Sequence, residues 1–258
     1  MNFKIGLDLG STAIKMVVLN GEEVVNRKHV PTAPGQEVRA QKLIDEALAE
    51  LGISQNHIQG IVSTGYGKKL FMGANKHIDE ITANALGLFK SNNGEACTII
   101  NIGGQDLKVL TLSDTGQVVD FKMNDKCAAG TGRFFELVAR LLDTPIEDFE
   151  HLSRFAETEL ELNSTCVVFA ESEIVSLLAK GESKDSIIKG LHSSVARRAA
   201  GLMGHMLLQG QGVIYLDGGP AQNKGLVEAM EDELLCEVKV LPYPQFTVAY
   251  GAALALDL

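Results

Sequence analysis

At 258 residues with 45% hydrophobic content, the chain is long enough to bury one large core or two modest ones. Its formal net charge of −10 excludes nucleic acid as a partner, because phosphates would demand a basic face. No run approaches the ~18 apolar residues of a spanning helix, and Met-Asn-Phe-Lys-Ile-Gly leads straight into a strand pattern, so no membrane role and a cytoplasmic location are expected. The four cysteines lack any Cys-x-x-Cys spacing and do not form a secreted disulfide pattern, so reduced thiols are expected.

The chain opens on Lys4-Ile-Gly-Leu-Asp-Leu-Gly-Ser-Thr-Ala-Ile-Lys-Met-Val-Val-Leu19, in which apolar and β-branched residues flank a Gly-Ser-Thr turn; this predicts a β-hairpin. Asn20-Gly21 supplies a tight-turn dipeptide and 22–25 a third strand. Past Pro31 and Pro34, Val38, Leu43, Ile44, Ala47, Leu48 and Leu51 recur at helical spacing; a strand over 58–62 and an amphipathic helix over 78–89 follow.

The opening pattern then repeats. Ile100-Asn-Ile-Gly-Gly-Gln-Asp-Leu-Lys-Val-Leu-Thr-Leu112 aligns without gaps on Leu7 to Leu19 at a constant offset of 93 residues, Asp8 falling on Asn101, Gly10 on Gly103 and Lys15 on Lys108. A duplicated hairpin predicts two similar α/β lobes. Their glycine-rich turns would present backbone N–H groups and small hydroxyls from opposite sides of a cleft, as a polyphosphate clamp requires. The expected boundaries are 1–94 for the first lobe, completed by a C-terminal helix over 246–258, and 95–245 for the second.

Asn124-Asp-Lys-Cys-Ala-Ala-Gly-Thr-Gly-Arg-Phe134 places Cys127 at the mouth of an expected helix over 133–142, and Asn163-Ser-Thr-Cys166 precedes an apolar run that becomes helical by 171–179. Helix starts favour anions, including thiolates and anionic metal–sulfur clusters. Two thiolates are half of a tetra-cysteine iron–sulfur or zinc site, and a symmetric homodimer would supply four. A short helix over 146–156 and a long one over 184–209, closed by a glycine, are also expected. A buried strand over 213–216 runs into Asp217-Gly-Gly-Pro-Ala-Gln222, a third glycine-rich turn, and a strand over 238–240 and a last helix finish the chain. The six histidines are scattered and read as surface or satisfied-core residues.

Three such turns in order, Asp-x-Gly-Ser-Thr, Gly-Gly-Gln-Asp and Asp-Gly-Gly, resemble the two phosphate loops and the adenosine loop of the actin-like (ribonuclease H-like) ATPase and sugar kinase superfamily. That resemblance implies a duplicated two-lobe fold with ATP or ADP in the interlobe cleft. Asp8 would hold Mg2+ through water, and Gly10, Ser11, Thr12 and Lys15 would contact phosphate from the first loop, as Gly103, Gly104 and Asp106 would from the second. Gln105 would orient a hydrolytic water, and Gly218 and Gly219 would lie against the adenosine. Asp8 is expected to be a solvent-facing loop carboxylate. Asn101 departs from the superfamily, whose second phosphate loop commonly carries another Asp; it brings no charge.

The cysteine contexts are similar, over the whole chain, to the activator components of 2-hydroxyacyl-CoA dehydratases and the related ATPase subunits of benzoyl-CoA reductases. This implies a homodimer sharing one [4Fe–4S] cluster on Cys127 and Cys166 of each subunit. It also implies ATP-driven one-electron transfer to a dehydratase or reductase partner, with reduced ferredoxin or flavodoxin as donor. Cys97 and Cys236 match no ligand motif and read as small buried hydrophobes. The rival readings are a small-molecule kinase, for which no carboxylate base is evident, and a non-redox ATP-dependent switch.

Overall fold

Apolar residues on both faces of the opening stretch make β1 (Phe3–Leu9) a fully buried strand, antiparallel to β2 (Ala13–Asn20), with Asp8 opposite Lys15. The structure, a computed structural model, describes residues 3–124, 128–162, 166–204, 206 and 212–258. β3 (Glu23–Pro31) outlasts the expected 22–25 because its later positions alternate between exposed and half-buried, an edge-strand pattern too polar to register as a hydrophobic run. α1 (Gln36–Leu51) lays Ala40, Leu43, Ile44, Ala47 and Leu48 on β1 and β2, joined by Phe71. Each of the buried Leu and Ile side chains stabilises that packing by roughly 1.5–3 kcal/mol relative to exposure. Val38, expected on this stripe, is 74% exposed in the helix's first turn.

β4 (Ile58–Thr64) pairs parallel to β1, and β5 (Lys76–His77) parallel to β4, giving the order β3-β2-β1-β4-β5. α2 (Glu80–Ser91) is N-capped by Asp79, which accepts from the Thr82 N–H.

The second sheet comprises β6 (Cys97–Ile102), β7 (Leu107–Leu112) and β8 (Val118–Asn124), with β9 (Val213–Gly218) and β10 (Val238–Lys239), in the order β10-β9-β6-β7-β8. Read from its other end this is the first sheet strand for strand, and β6 and β9 are parallel as β1 and β4 are. The 93-residue repeat is therefore a repeat of a whole sheet.

The helices between are α3 (Gly132–Leu142), α4 (Phe149–Ser153), α5 (Val167–Ala179), α6 (Lys184–Met203) and, after β9, α7 (Lys224–Leu234). α5 begins four residues before the expected 171, directly after Cys166, because Val167 to Ala170 continue the helix rather than form an extended run. α6 stops at Met203 with Gly204 as its C-cap, short of the expected 209; Leu207 and Gln209 lie outside the described residues. The chain ends in α8 (Thr247–Leu254), which packs Ala249 and Ala253 on Val17 and Leu19 and crosses α2 so closely that a Cβ on Gly251 would lie 1.7 Å from the Ala83 carbonyl oxygen.

By contacts the chain forms two units: 1–96 with 112–119 and 245–258, and 97–111 with 120–244. The larger core, in the second unit, gathers Ile100, Ile102, Leu107 and Val109 of the sheet with Phe134, Phe135 and Val138 of α3 and Ile187, Leu191 and Val195 of α6.

Candidate functional site

Asp8 is not the solvent-facing loop carboxylate expected from sequence: it is the penultimate residue of β1 and only 2% exposed. The hairpin register sets it opposite Lys15, whose Nζ donates to Oδ2 at 3.1 Å. Among the described residues its Oδ1 is buried without a hydrogen-bond partner, and so is Oγ1 of Thr64, the residue in register with it on β4. Two idle buried oxygens side by side, one carrying charge, are what a hydrated cation would satisfy. Beyond Asp8 the Gly10 N–H donates to the Ala13 carbonyl at 3.1 Å, leaving Ser11 and Thr12 at a half-buried turn tip. Thr32 buttresses this turn, donating from N to the Thr12 carbonyl and from Oγ1 to the Gly10 carbonyl.

The second turn has the same internal bond: the Gly103 N–H donates to the Asp106 carbonyl at 2.9 Å, each residue 93 positions on from its counterpart. Lys108 stands where Lys15 does but pairs at 2.7 Å with Asp106 of the turn, both nearly fully buried. Asn101 donates from Nδ2 to Oδ2 of Asp217 at 2.8 Å. The start of α3 is tied to this turn, since the Gly132 N–H donates to the Gly103 carbonyl and the Arg133 N–H to that of Gly104, at 2.9 and 3.0 Å. These two amides therefore serve the glycine turn. Cys127 itself lies outside the described residues, four positions before the α3 N-cap Thr131. Exposed Gln105 lines a groove of about 480 Å³ with Arg133, Glu136 and Arg140 of α3 and Val167, Val168 and Glu171 of α5.

The third turn closes tightly on the sheet. Gly218 has φ +94°, and a Cβ there would lie 2.2 Å from the Ile102 carbonyl oxygen, whereas Gly219 has nothing within 4 Å of its Cβ position and is the open residue. Its counterpart in the first unit, Gly65-Tyr66-Gly67 after β4, escaped the sequence reading. Gly65 has φ +86° with a Cβ position 2.7 Å from the Leu9 carbonyl oxygen and 2.6 Å from Asp8 Oδ1, and the Gly67 N–H donates to the Leu9 carbonyl. Ser-Thr-Gly-Tyr-Gly after an apolar strand was the available signal.

Cys166 is the N-cap of α5, half-buried, with no acidic residue in the helix's first turn and with Val168 and Phe169 beside it 69% and 68% exposed. The first amides of a helix lack intrahelical partners, so this position suits a thiolate bound to an anionic group. Among the described residues no three His, Cys, Asp or Glu side chains converge as a metal set. Cys97 is buried as expected, but Cys236 is exposed after the end of α7, so the expectation of burial fails there. His192 departs from the satisfied-core expectation: it is 1% exposed, stacked on Phe135, and neither ring nitrogen has a hydrogen-bond partner among the described residues. Burial lowers its pKa from 6.5 to about 4.

The sequence pattern of the BadF/BadG/BcrA/BcrD ATPase family matches residues 5–255. The chain is 42% identical to the activator of lactoyl-CoA dehydratase from Anaerotignum propionicum, over 98% of this chain and 96% of that protein. The solved activator of the 2-hydroxyisocaproyl-CoA dehydratase from Clostridium difficile with bound ADPNP is 38% identical, with a TM-score of 0.91 over 98% of this chain and 93% of the other. A ROK family glucokinase from Streptomyces griseus, at 14% identity and TM-score 0.58 over 98% of each chain, shares the fold alone. No described helix is long and apolar enough to cross a membrane.

Proposed function

Given that the chain belongs to the BadF/BadG/BcrA/BcrD ATPase family, and is an ATPase of actin-like fold, we propose that it activates a 2-hydroxyacyl-CoA dehydratase or related acyl-CoA reductase by ATP-driven one-electron transfer. The observation that carries this reading is the bonding of Gly103 and Gly104 to the first two amides of α3. A glycine turn of phosphate-loop type is thereby joined to the helix that the Cys127 segment enters, and it borders the same groove as α5, which Cys166 caps.

In this reading Asp8 Oδ1 and Thr64 Oγ1 hold the water shell of Mg2+, and Lys15 with the Ser11-Thr12 turn binds phosphate. The 103–106 turn binds phosphate as well, Gln105 orients the attacking water, and Gly219 lies open to the nucleoside. A [4Fe–4S] cluster, when bound by Cys127 and Cys166 of two subunits, supplies a one-electron carrier charged by reduced ferredoxin or flavodoxin. Cys166 contributes its thiolate at a helix start, and Val168 and Phe169 offer the apolar surface that a second subunit would cover. The protein is proposed to work as a cytoplasmic homodimer.

Iron and sulfide assays on anaerobically purified protein test this. About four irons per dimer are expected, retained in Cys97→Ala and Cys236→Ala and lost in Cys127→Ser and Cys166→Ser. A full cluster in either serine variant defeats the ligand assignment. Colourless protein that phosphorylates a small hydroxyl compound would replace the whole reading with a kinase.

A further inference from the structure

Asn101 stands where β1 carries Asp8, but the second sheet has not lost the carboxylate; it has moved to the neighbouring strand. Asn101 and Asp217 are register partners on β6 and β9, 3% and 1% exposed, and are joined by the 2.8 Å bond from Asn101 Nδ2 to Asp217 Oδ2. The same two positions of the first sheet hold Asp8 and Thr64. Each sheet thus keeps one carboxylate in the polar pair at the carboxyl ends of its central parallel strands, on β1 in one and on β9 in the other.

We propose that Asp217 is a positioning residue for magnesium–nucleotide binding at the second unit's glycine turn: it locks the Asn101 amide so that Oδ1, not Nδ2, is the atom offered to a magnesium-bound water. This rests on the reading of the 103–106 turn as a phosphate loop. The 2.8 Å bond runs from Nδ2 to the Asp217 oxygen, so the NH2 is the group turned toward the carboxyl and the amide oxygen is left on the other side. A water bound to a divalent cation turns its hydrogens outward and needs that acceptor; an inverted amide would meet it with a second donor. Burial holds the choice, because turning the amide would set its oxygen against the Asp217 carboxylate with no water to relieve either. Gly218 fixes the spacing, since the 2.2 Å between its Cβ position and the Ile102 oxygen means β9 closes on β6 only with glycine there.

Calorimetric titration of the anaerobic dimer with ADP, with and without MgCl2, tests the proposal. In Asp217→Asn the affinity gained from magnesium should fall about tenfold, the size of one charge-assisted hydrogen bond, while metal-free ADP binding stays within about twofold. The exchanged pair, Asn101→Asp with Asp217→Asn, again has one carboxylate and one amide and should recover the gain to within about threefold. A wild-type gain in Asp217→Asn, or an exchanged pair no better than it, overturns the proposal; if Asp217→Asn fails to fold, the exchanged pair decides. Asn101→Ala separates the two levels. If it keeps the full magnesium gain, the phosphate-loop reading itself fails; if it loses the gain and Asp217→Asn does not, only the positioning role fails.

Discussion

Asp8 is buried with one oxygen lacking a hydrogen-bond partner among the described residues and the other accepting from Lys15. Asp8→Asn keeps the shape but removes the charge that Lys15 Nζ pairs with at 3.1 Å, so two effects are expected together. The magnesium-dependent part of nucleotide affinity should vanish, and urea unfolding without nucleotide should lose about 1–3 kcal/mol; a variant as stable as wild type would mean that the Asp8–Lys15 pair adds nothing to stability. His192 makes the opposite kind of prediction, about pH. Its pKa is lowered from 6.5 to about 4 by burial, so the unfolded chain gains a proton as pH falls through that window while the folded chain resists. Its contribution is therefore present above 6.5 and is lost as pH drops, reaching roughly 3 kcal/mol near the lower end. His192→Leu should flatten the fall in urea midpoint between about pH 6.5 and about pH 5. Equal slopes in both proteins would assign the acid sensitivity to other groups.

At the scale of elements, the turns do not tolerate change equally. Gly219→Val projects into open space and should weaken nucleotide binding while leaving the fold intact, whereas Gly218→Val meets the Ile102 oxygen and should disrupt the β6–β9 pairing. Circular dichroism beside ADP titration distinguishes them, and unchanged ADP affinity in Gly219→Val would remove this turn from the nucleotide site. The α3 tether can be broken by a proline at 132, whose Cδ in place of the N–H hydrogen would push off the Gly103 carbonyl oxygen now 2.9 Å from that nitrogen. Gly132 is the first helical residue, where proline is tolerated, and Thr131 before it is already extended at φ −127°, ψ 173°. Gly132→Pro should keep α3 while deleting the bond to the Gly103 carbonyl, so ADP should still bind but cease to alter the cluster region, read as equal iron-chelation rates with and without nucleotide. The sequence carried the hairpins, the 93-residue repeat and three of the turns, because period-2 apolar runs and glycine spacing are local. It could not carry the fourth turn's partnership with Asp8, the burial of Asp8, or the Asn101–Asp217 bond, since each depends on which strand lies beside β1 or β6, a choice made 56 residues away in one sheet and 116 in the other. Cys236 was misplaced for a similar reason: the end of α7 looks apolar, but Leu235, at φ +54°, is 90% exposed and turns the chain outward.

For the whole molecule, the two sheets repeat one another, yet the cysteine segments occur only between β8 and α5, so the function proposed above gives the second copy a task the first lacks. The 103–106 turn is the contact between the shared and the added function, because its carbonyls hold α3 while its amides and side chains are those proposed to meet phosphate. A turn that shifts when ADP is replaced by ATP must carry the α3 start with it or break two hydrogen bonds. Moving a helix end near an anionic group changes the field there, and less positive potential makes a bound electron easier to give up. A one-electron shift of ~200 mV corresponds to roughly 5 kcal/mol, and a ligand that prefers one of two states by ~10⁴-fold supplies about that much. The reduction potential of the proposed cluster is therefore expected, in anaerobic protein, to be lower with a non-hydrolysable ATP analogue than with ADP, and iron chelation faster. In Gly132→Pro both differences should shrink although both nucleotides bind. Identical potentials and chelation rates in the two nucleotide states, with and without a partner dehydratase, would mean that ATP does not gate the electron and that the tether serves only to hold the turn.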